Sequence, residues 1–298
     1  MRPIDWLSAL LVILIWGVNF IVMKWGLQEL SPLMLSALRF LMASVPLLLF
    51  VRKPASLSWG VLAAYGLVQG VGQFGLLFAG MALGMPAGMA SVVLQAQAFA
   101  SLLLGALFLK EEPKPWQWMG LCIAIAGLAV IAMARGEGAG SMTLIGFFLT
   151  LAAAVMWACA NLISRHAARQ GPYEPLPFIV WSSVFAVLPL LLLSLWLEGG
   201  SARMLAQLQG LGWQGLGSVA YLAFLSTLLG YGLWTKLLQR YPVGTVAPLS
   251  LLVPVIGLVA AMLLLGERPV LQHWLGTLAV LVGLGVNVWG GRWARRAR

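Results

Sequence analysis

Apolar residues run along this chain in long blocks, cut apart by short clusters of charged and turn-forming residues. The pattern predicts ten helices, at about 5–24, 32–51, 60–80, 87–109, 116–134, 144–165, 176–198, 214–237, 244–265 and 273–291. Each is near the ~20 residues that a helix rising ~1.5 Å per residue needs to cross a bilayer's hydrocarbon core. Residues 54–109 carry no charge. That run is too long for one crossing, and it divides at Gly80-Met81-Ala82-Leu83-Gly84-Met85-Pro86, where helix breakers gather. The blocks are continuous and do not alternate, which excludes a membrane β-barrel.

Composition narrows the class further. Of 298 residues, 61% are hydrophobic and 9% charged, against ~45–50% and ~25% in soluble domains. An all-α polytopic membrane protein is expected, and a soluble enzyme, a nucleic-acid-binding domain and a disordered chain are excluded. The net charge of +10 is therefore read as topology. With both termini on one side, that side carries Arg2, Arg52, Lys53, Lys110, Lys114, Arg165, Arg169, Lys236, Arg240 and the tail's Arg292, Arg295, Arg296 and Arg298. The other side carries Lys24, Arg135, Arg203 and Arg268. The positive-inside rule then puts both termini in the cytoplasm. Trp289, Trp293 and the tail arginines read as an interface anchor. Trp6–Met23 is long enough to span and lacks a small-residue cleavage site, so a removable leader is not expected. Cys122 and Cys159 fall in apolar stretches and read as small buried residues.

The two halves resemble each other. An offset of 156 pairs Tyr65 with Tyr221, Pro86 with Pro242, Gly88 with Gly244 and Glu111 with Glu267. It also pairs Pro113 with Pro269, Trp118 with Trp274, Gly120 with Gly276 and Gly127 with Gly283. An offset of 143 pairs Pro32 with Pro175 and Pro46 with Pro189, and one of 141 pairs Trp16 with Trp157 and Lys24 with Arg165. The offset shifts only between segments, as loop-length changes require. The expected division is residues 1–135 and 136–298, with five helices each. Five is odd, so the second copy enters the membrane inverted. That is the architecture of alternating-access carriers, with a substrate site near midplane between the repeats.

The polar residues left inside the blocks are few. All eight acidic residues, Asp5, Glu29, Glu111, Glu112, Glu137, Glu174, Glu198 and Glu267, fall at termini or loops, and His166 and His273 lie near helix ends. Without a midplane carboxylate, a directly coupled proton or sodium relay is disfavoured. No reactive constellation, metal cluster or cofactor motif is present, which argues against an enzyme and for no cofactor. Arg39 is the one charge deep in a span. It reads either as counter-charge to a substrate carboxylate or as a structural arginine bonded to carbonyls or headgroups.

Helical spacing sorts the remaining candidates for substrate contact. Trp16, Asn19 and Phe20 share a face of helix one, and Trp157 and Asn161 share one in helix six. An Asn can both donate to a carboxylate and accept from an ammonium. Gln69 and Gln73 share a face of helix three, as cavity lining or as packing between helices. In helix four Ser91, Gln95 and Phe99 form a stripe; Gln97, two residues from Gln95, is expected to face elsewhere. Helix eight offers Tyr231 and Trp234, as cavity wall or buried aromatic cluster. Helix nine holds Ser250 between Pro248 and Pro254, whose missing N–H groups free carbonyls and bend the helix.

These segments are similar to the EamA family of the drug/metabolite transporter superfamily. The match lies in Trp16-Gly17-Val18-Asn19-Phe20, Ala37-Leu38-Arg39-Phe40, residues 84–99, Thr150 to Cys159 and Val246 to Leu258. It looks most like the O-acetylserine/cysteine exporter branch and leaves only the tail and residues 198–213 unmatched. The resemblance implies a bacterial-type inner-membrane exporter of amino acids and related metabolites, with a central cavity lined from both repeats. Cysteine and O-acetylserine come first as substrates, larger neutral or aromatic amino acids (Met, Thr, Phe) second, and a membrane enzyme or scaffold is remote. The expected partners are a small-molecule substrate and the lipid bilayer, with no nucleic acid and no obligate protein partner.

Overall fold

A computed structural model describes residues 1–134, 142–241 and 246–296. The expected repeat boundary at 135–136, Arg135, Glu137, Pro242, Gly244 and Arg298 lie outside these residues, as do the side chains of Arg292, Trp293, Arg295 and Arg296. Each predicted block holds a helix among the described residues, though the second ends at Leu47, short of the expected 51. The helices are α1 (Pro3–Glu29), α2 (Pro32–Leu47), α3 (Trp59–Ala82), α4 (Ala87–Leu109), α5 (Pro115–Met133), α6 (Leu144–Gln170) and α7 (Pro175–Leu197). A short helix α8 (Gly200–Gln209) follows, then α9 (Trp213–Leu237), α10 (Leu249–Leu265) and α11 (Leu271–Arg296). Among the described residues eight helices are long and apolar enough to cross a membrane, and α2 and α10 are shorter apolar ones. No strand occurs among them.

Proline punctuates the starts. Pro3, Pro32, Pro115 and Pro175 each stand in the first turn of a helix, where a missing N–H costs nothing and the fixed φ suits the helix. The uncharged stretch turns between Ala82 and Ala87, with Gly84 at φ +103°. α8 was not expected; it is a polar surface helix with no buried residue, holding Arg203 and Gln207.

The outside of the bundle is apolar. Leu107, Phe108, Leu188 and Leu263 are all more than three-fifths exposed, and their helices pack inward on their other faces. Exposed tryptophans mark both ends of the helices: Trp6, Trp59 and Trp118 at the end that holds the N-terminus, and Trp196, Trp213 and Trp274 at the far end. An apolar belt between two rims of Trp is the surface a bilayer solvates, so the chain is a multi-pass membrane protein. Cys122 faces this belt: it is exposed on α5, not buried as expected, because its helix turns only a narrow glycine-bearing face inward. Cys159 is half-buried and both thiols are free.

Positions 156 apart share local backbone. α3 widens to i→i+5 hydrogen bonding over Leu67–Gly75, and α9 does so over Tyr221–Gly230. α4 tightens to a 3-10 turn at Leu94–Ala96, and α10 opens with one at Ala247–Leu251, which contains Pro248. Lys110 and Gly266 both end their helices in the left-handed region. After them Glu111 N donates to Gly105 O and Glu267 N to Ala261 O, both at 3.3 Å. α5 and α11 pack antiparallel along glycines. A Cβ on Gly120 would lie 2.6 Å from Gly283 O, and one on Gly127 would lie 2.7 Å from Gly276 O.

Candidate functional site

The middle of the bundle holds a cavity of about 420 Å³. Twelve of the sequence-predicted residues line it: Trp16, Asn19, Phe20, Arg39, Gln73, Ser91, Gln95, Trp157, Asn161, Tyr231, Trp234 and Ser250. Residues from both halves therefore meet across one space, of a volume typical of small-molecule sites. Ser164, Tyr173, Pro175 and Thr235 extend the lining toward the end that holds the N-terminus.

Three expectations differ in detail. Phe99 points into the packed core, 3% exposed, and does not line the cavity. Gln69 sits one layer back, where its Nε2 donates to the Tyr231 hydroxyl at 3.1 Å. Gln97, expected to face away, also lines the cavity, and its Oε1 accepts from Asn161 Nδ2 at 3.0 Å. The 3-10 turn just before it rotates the following residues off the regular helical stripe. Sequence reasoning also passed over Tyr65, Phe74, Tyr173 and Phe178 as lining; the repeat pair Tyr65–Tyr221 was the available signal for the first.

Local chemistry fixes the walls. Trp16 donates from Nε1 to Ser226 O at 3.1 Å, and its ring stands 5.1 Å from Tyr231 and 5.5 Å from Trp234, centroid to centroid. Pro254 has no N–H for the carbonyl four residues back, that of Ser250. Gln95 Nε2 takes that carbonyl at 3.4 Å, and Ser91 Oγ reaches Pro254 O at 3.4 Å. So Pro254 ties α10 to α4 through side chains at the cavity edge. Arg39, 1% exposed, is the only charged residue lining the cavity among the described residues. Its Nε donates to Thr227 Oγ1 at 3.0 Å and its guanidinium lies 3.8 Å from the Phe74 ring centroid. The widened turns of α3 and α9 carry these polar residues, Gln69 and Gln73 on one and Ser226 and Thr227 on the other.

At the far end, carboxylates cap helix N-termini in the opposite half. Glu29 accepts from Gly212 N (2.8 Å) and Gly215 N (3.1 Å) at the start of α9. Glu198 accepts from Leu33 N (2.8 Å) and Met34 N (3.3 Å) at the start of α2, and from Ser31 Oγ and Ser194 Oγ. Glu267 accepts from Ala87 N (2.7 Å) and Gly88 N (3.0 Å) at the start of α4. Each carboxylate satisfies N–H groups that a helix leaves free, at the positive end of its dipole. Burial pushes the Glu267 carboxyl above the ordinary carboxylate range, against the Gly88 and Ala87 N–H groups and the charge of Lys24, which pull it down. At the end with the N-terminus, Glu111 instead pairs with Arg165 at 3.2 Å, both half-exposed.

Comparison with known proteins fits this arrangement. The chain is 43% identical over 295 residues to a protein of Salmonella typhimurium named "Probable amino-acid metabolite efflux pump", covering 99% of this chain and 98% of that one. It is 41% identical over 298 residues to a protein of the same name from Escherichia coli, at the same coverages. A Streptantibioticus cattleyicolor protein named "Probable terminal-alkyne amino-acid exporter" is 29% identical, over 88% of this chain and 86% of that one. A solved crystal structure matches over 100% of both chains with a TM-score of 0.59 at 19% identity, which shows the fold. The EamA-like transporter family matches residues 5–133 and 144–289, and with nearly the whole length covered, the chain belongs to that family.

Proposed function

We propose that the protein exports small amino acids and related metabolites across the bacterial cytoplasmic membrane by alternating access, with cysteine and O-acetylserine first among substrates. It acts as a carrier and not as an enzyme. The ten apolar helices cross the membrane as two inverted five-helix repeats, with both termini cytoplasmic. The observation that carries this reading is a cavity, walled from both halves, that reaches toward the end holding the N-terminus, with carboxylate caps tying the halves together at the other end. In the proposed orientation this is the state that loads substrate from the cytoplasm. The matched local backbones 156 residues apart support the repeat, and the names of the similar proteins support the substrate class. Rocking one repeat against the other would break the caps and open the far end.

A second reading has its own support. A cavity of about 420 Å³ with the tilted rings of Trp16, Tyr231 and Trp234 clustered along it suits larger neutral amino acids such as methionine or phenylalanine. Counterflow in proteoliposomes tests both. Vesicles preloaded with one unlabelled amino acid receive the labelled form outside, with no ion gradient, for cysteine, O-acetylserine, threonine, methionine and phenylalanine in parallel. Label accumulation is the expected result, and the best substrate decides between the readings. Silence from folded protein, with or without a pH gradient, would overturn amino-acid export.

A further inference from the structure

The cavity carries one charge and two unpartnered amide oxygens, and together these are the complement of an amino-acid headgroup. Among the described residues Arg39 makes one hydrogen bond, to the Thr227 hydroxyl, which is itself held on Leu222 O at 2.7 Å. Its Nη1 is buried and meets no acceptor. A guanidinium kept only for structure would spend its donors on carbonyls or a carboxylate, because an unpaired buried charge is costly. No Asp or Glu lines the cavity among the described residues. The stacked Phe74 ring and Phe40, 3.8 and 5.6 Å from the guanidinium to their centroids, support the cation without consuming a donor. Asn19 Oδ1 and Gln73 Oε1 are likewise buried without a donor, on residues 6% and 1% exposed that line the same cavity. These three atoms are closed to solvent, so a headgroup that moves their side chains slightly to reach them interacts in a low dielectric with little competition from water.

We propose that Arg39, Asn19 and Gln73 form an α-amino-acid headgroup site. Arg39 takes the carboxylate, the amide oxygens of Asn19 and Gln73 take the ammonium, and Trp16, Tyr231 and Trp234 wall the side chain. The site deepens the export reading and rests on it. Its ligand class is the free α-amino acid with both groups unmodified, while the aromatic wall tolerates varied side chains. Amines that lack the carboxylate and acids that lack the amino group are excluded, because each leaves a buried partner unmatched.

The test is competition against labelled methionine counterflow. The competitors are methionine, the amine left when methionine loses its carboxylate, and the acid left when it loses its amino group. In the wild type each truncated compound should compete about 100-fold or more weakly than methionine. In Arg39→Met the advantage of methionine over the amine should vanish while its advantage over the acid remains; Asn19→Leu with Gln73→Leu should do the reverse. Where a variant no longer transports, ligand-induced thermal stabilisation of the purified full chain in detergent reads the same discrimination. Without ligand, Arg39→Met should melt at or above the wild-type temperature, since it removes an unpaired charge. Wild-type discrimination in both variants would overturn the site and leave amino-acid export standing. No exchange of any amino acid by the wild type would overturn the export reading, and the site with it.

Discussion

Substituting alanine for Gly127 should destabilise the fold by forcing α5 and α11 apart. The new Cβ would lie 2.7 Å from Gly276 O, 2.9 Å from Ala279 Cβ and 2.9 Å from Val280 N. Two of these are backbone atoms of a facing helix, which no rotamer change can move. Ordinary contact begins near 3.4 Å, so the helices must separate locally by roughly 0.7 Å and lose dispersion contacts along the seam. Overpacking of this kind costs about 1–3 kcal/mol. Against it stands the better helix propensity of alanine, at most about 1 kcal/mol. Because backbone atoms cannot give way, the clash wins, for a net loss of up to about 2 kcal/mol. Gly283→Ala meets Gly120 O at 2.5 Å and should behave alike. The double variant should lose less than the sum, because the first separation makes room for the second. Gly217 is the control: it is exposed in α9, and a Cβ there meets nothing within 4 Å. Thermal denaturation of purified protein in detergent should put both seam variants below the wild type and Gly217→Ala at or above it. None of these glycines lines the cavity, so half-saturation for substrate should be unchanged. A Gly127→Ala protein that melts at or above the wild type would refute the reasoning.

Three further outcomes are expected. Trp157→Ala and Asn161→Ala should lose counterflow while remaining folded in the membrane, since both line the cavity and Asn161 also holds Gln97 and Ser101; full transport in both would misplace the site. Glu198→Ala should lower the melting temperature through a loss of about 1–2 kcal/mol, the usual worth of a helix cap, with Glu198→Gln between it and the wild type. The third concerns pH. The raised Glu267 carboxyl binds a proton more readily in its buried, capping position than when exposed, so acid favours this closed far end. That contribution is lost as pH climbs above about 4.3 through the raised value. With Cys122 and Cys159 replaced by alanine and Ser91 by cysteine, labelling by an impermeant thiol reagent from outside should quicken with rising pH. In Glu267→Gln only the rise that thiolate formation gives both proteins should remain, and a pH profile identical to that of the parent would sink the assignment.

The helices were legible because a membrane helix has no way to hide: its apolar block must be continuous, and charges end it. The cavity faces of α1 and α6 were legible for a related reason, since Trp16, Asn19, Trp157 and Asn161 are polar or amphipathic interruptions at regular helical spacing. What the periodicity missed lies where the helix is not regular. Gln97 follows a 3-10 turn, and Gln69 sits in the widened turn of α3, among Gly70, Gly72 and Gly75. The glycine run was a usable sign that regular spacing would fail there. α8 escaped because it is ten residues long and too polar on average to read as a membrane-crossing block. The far-end carboxylates read only as loop charges. Their partners are backbone N–H groups in the other half, and nothing in a sequence marks which helix end a loop carboxylate will reach.

Those carboxylates also show where two similar halves differ. Glu111 and Glu267 follow the same left-handed cap and make the same backbone bond six residues back. Lys24 and Arg165 are the matching cations of the two halves. Yet Glu267 caps α4 while Lys24 turns to Met81 O at 3.2 Å, whereas Glu111 takes Arg165. The local sequence thus admits two partner sets, and each half has adopted a different one. The contributions that decide between them oppose one another. An exposed pair such as Glu111–Arg165 is worth about 0.2–1 kcal/mol. The two charge-assisted bonds of Glu267 are worth about 1.5–3 kcal/mol each before desolvation, and the raised carboxyl shows that desolvation outweighs them for the ionised form. A carrier that must visit both states in every cycle needs such a balance. If one partner set were several kcal/mol better than the other, one half would hold it permanently and the cavity would open to one side only.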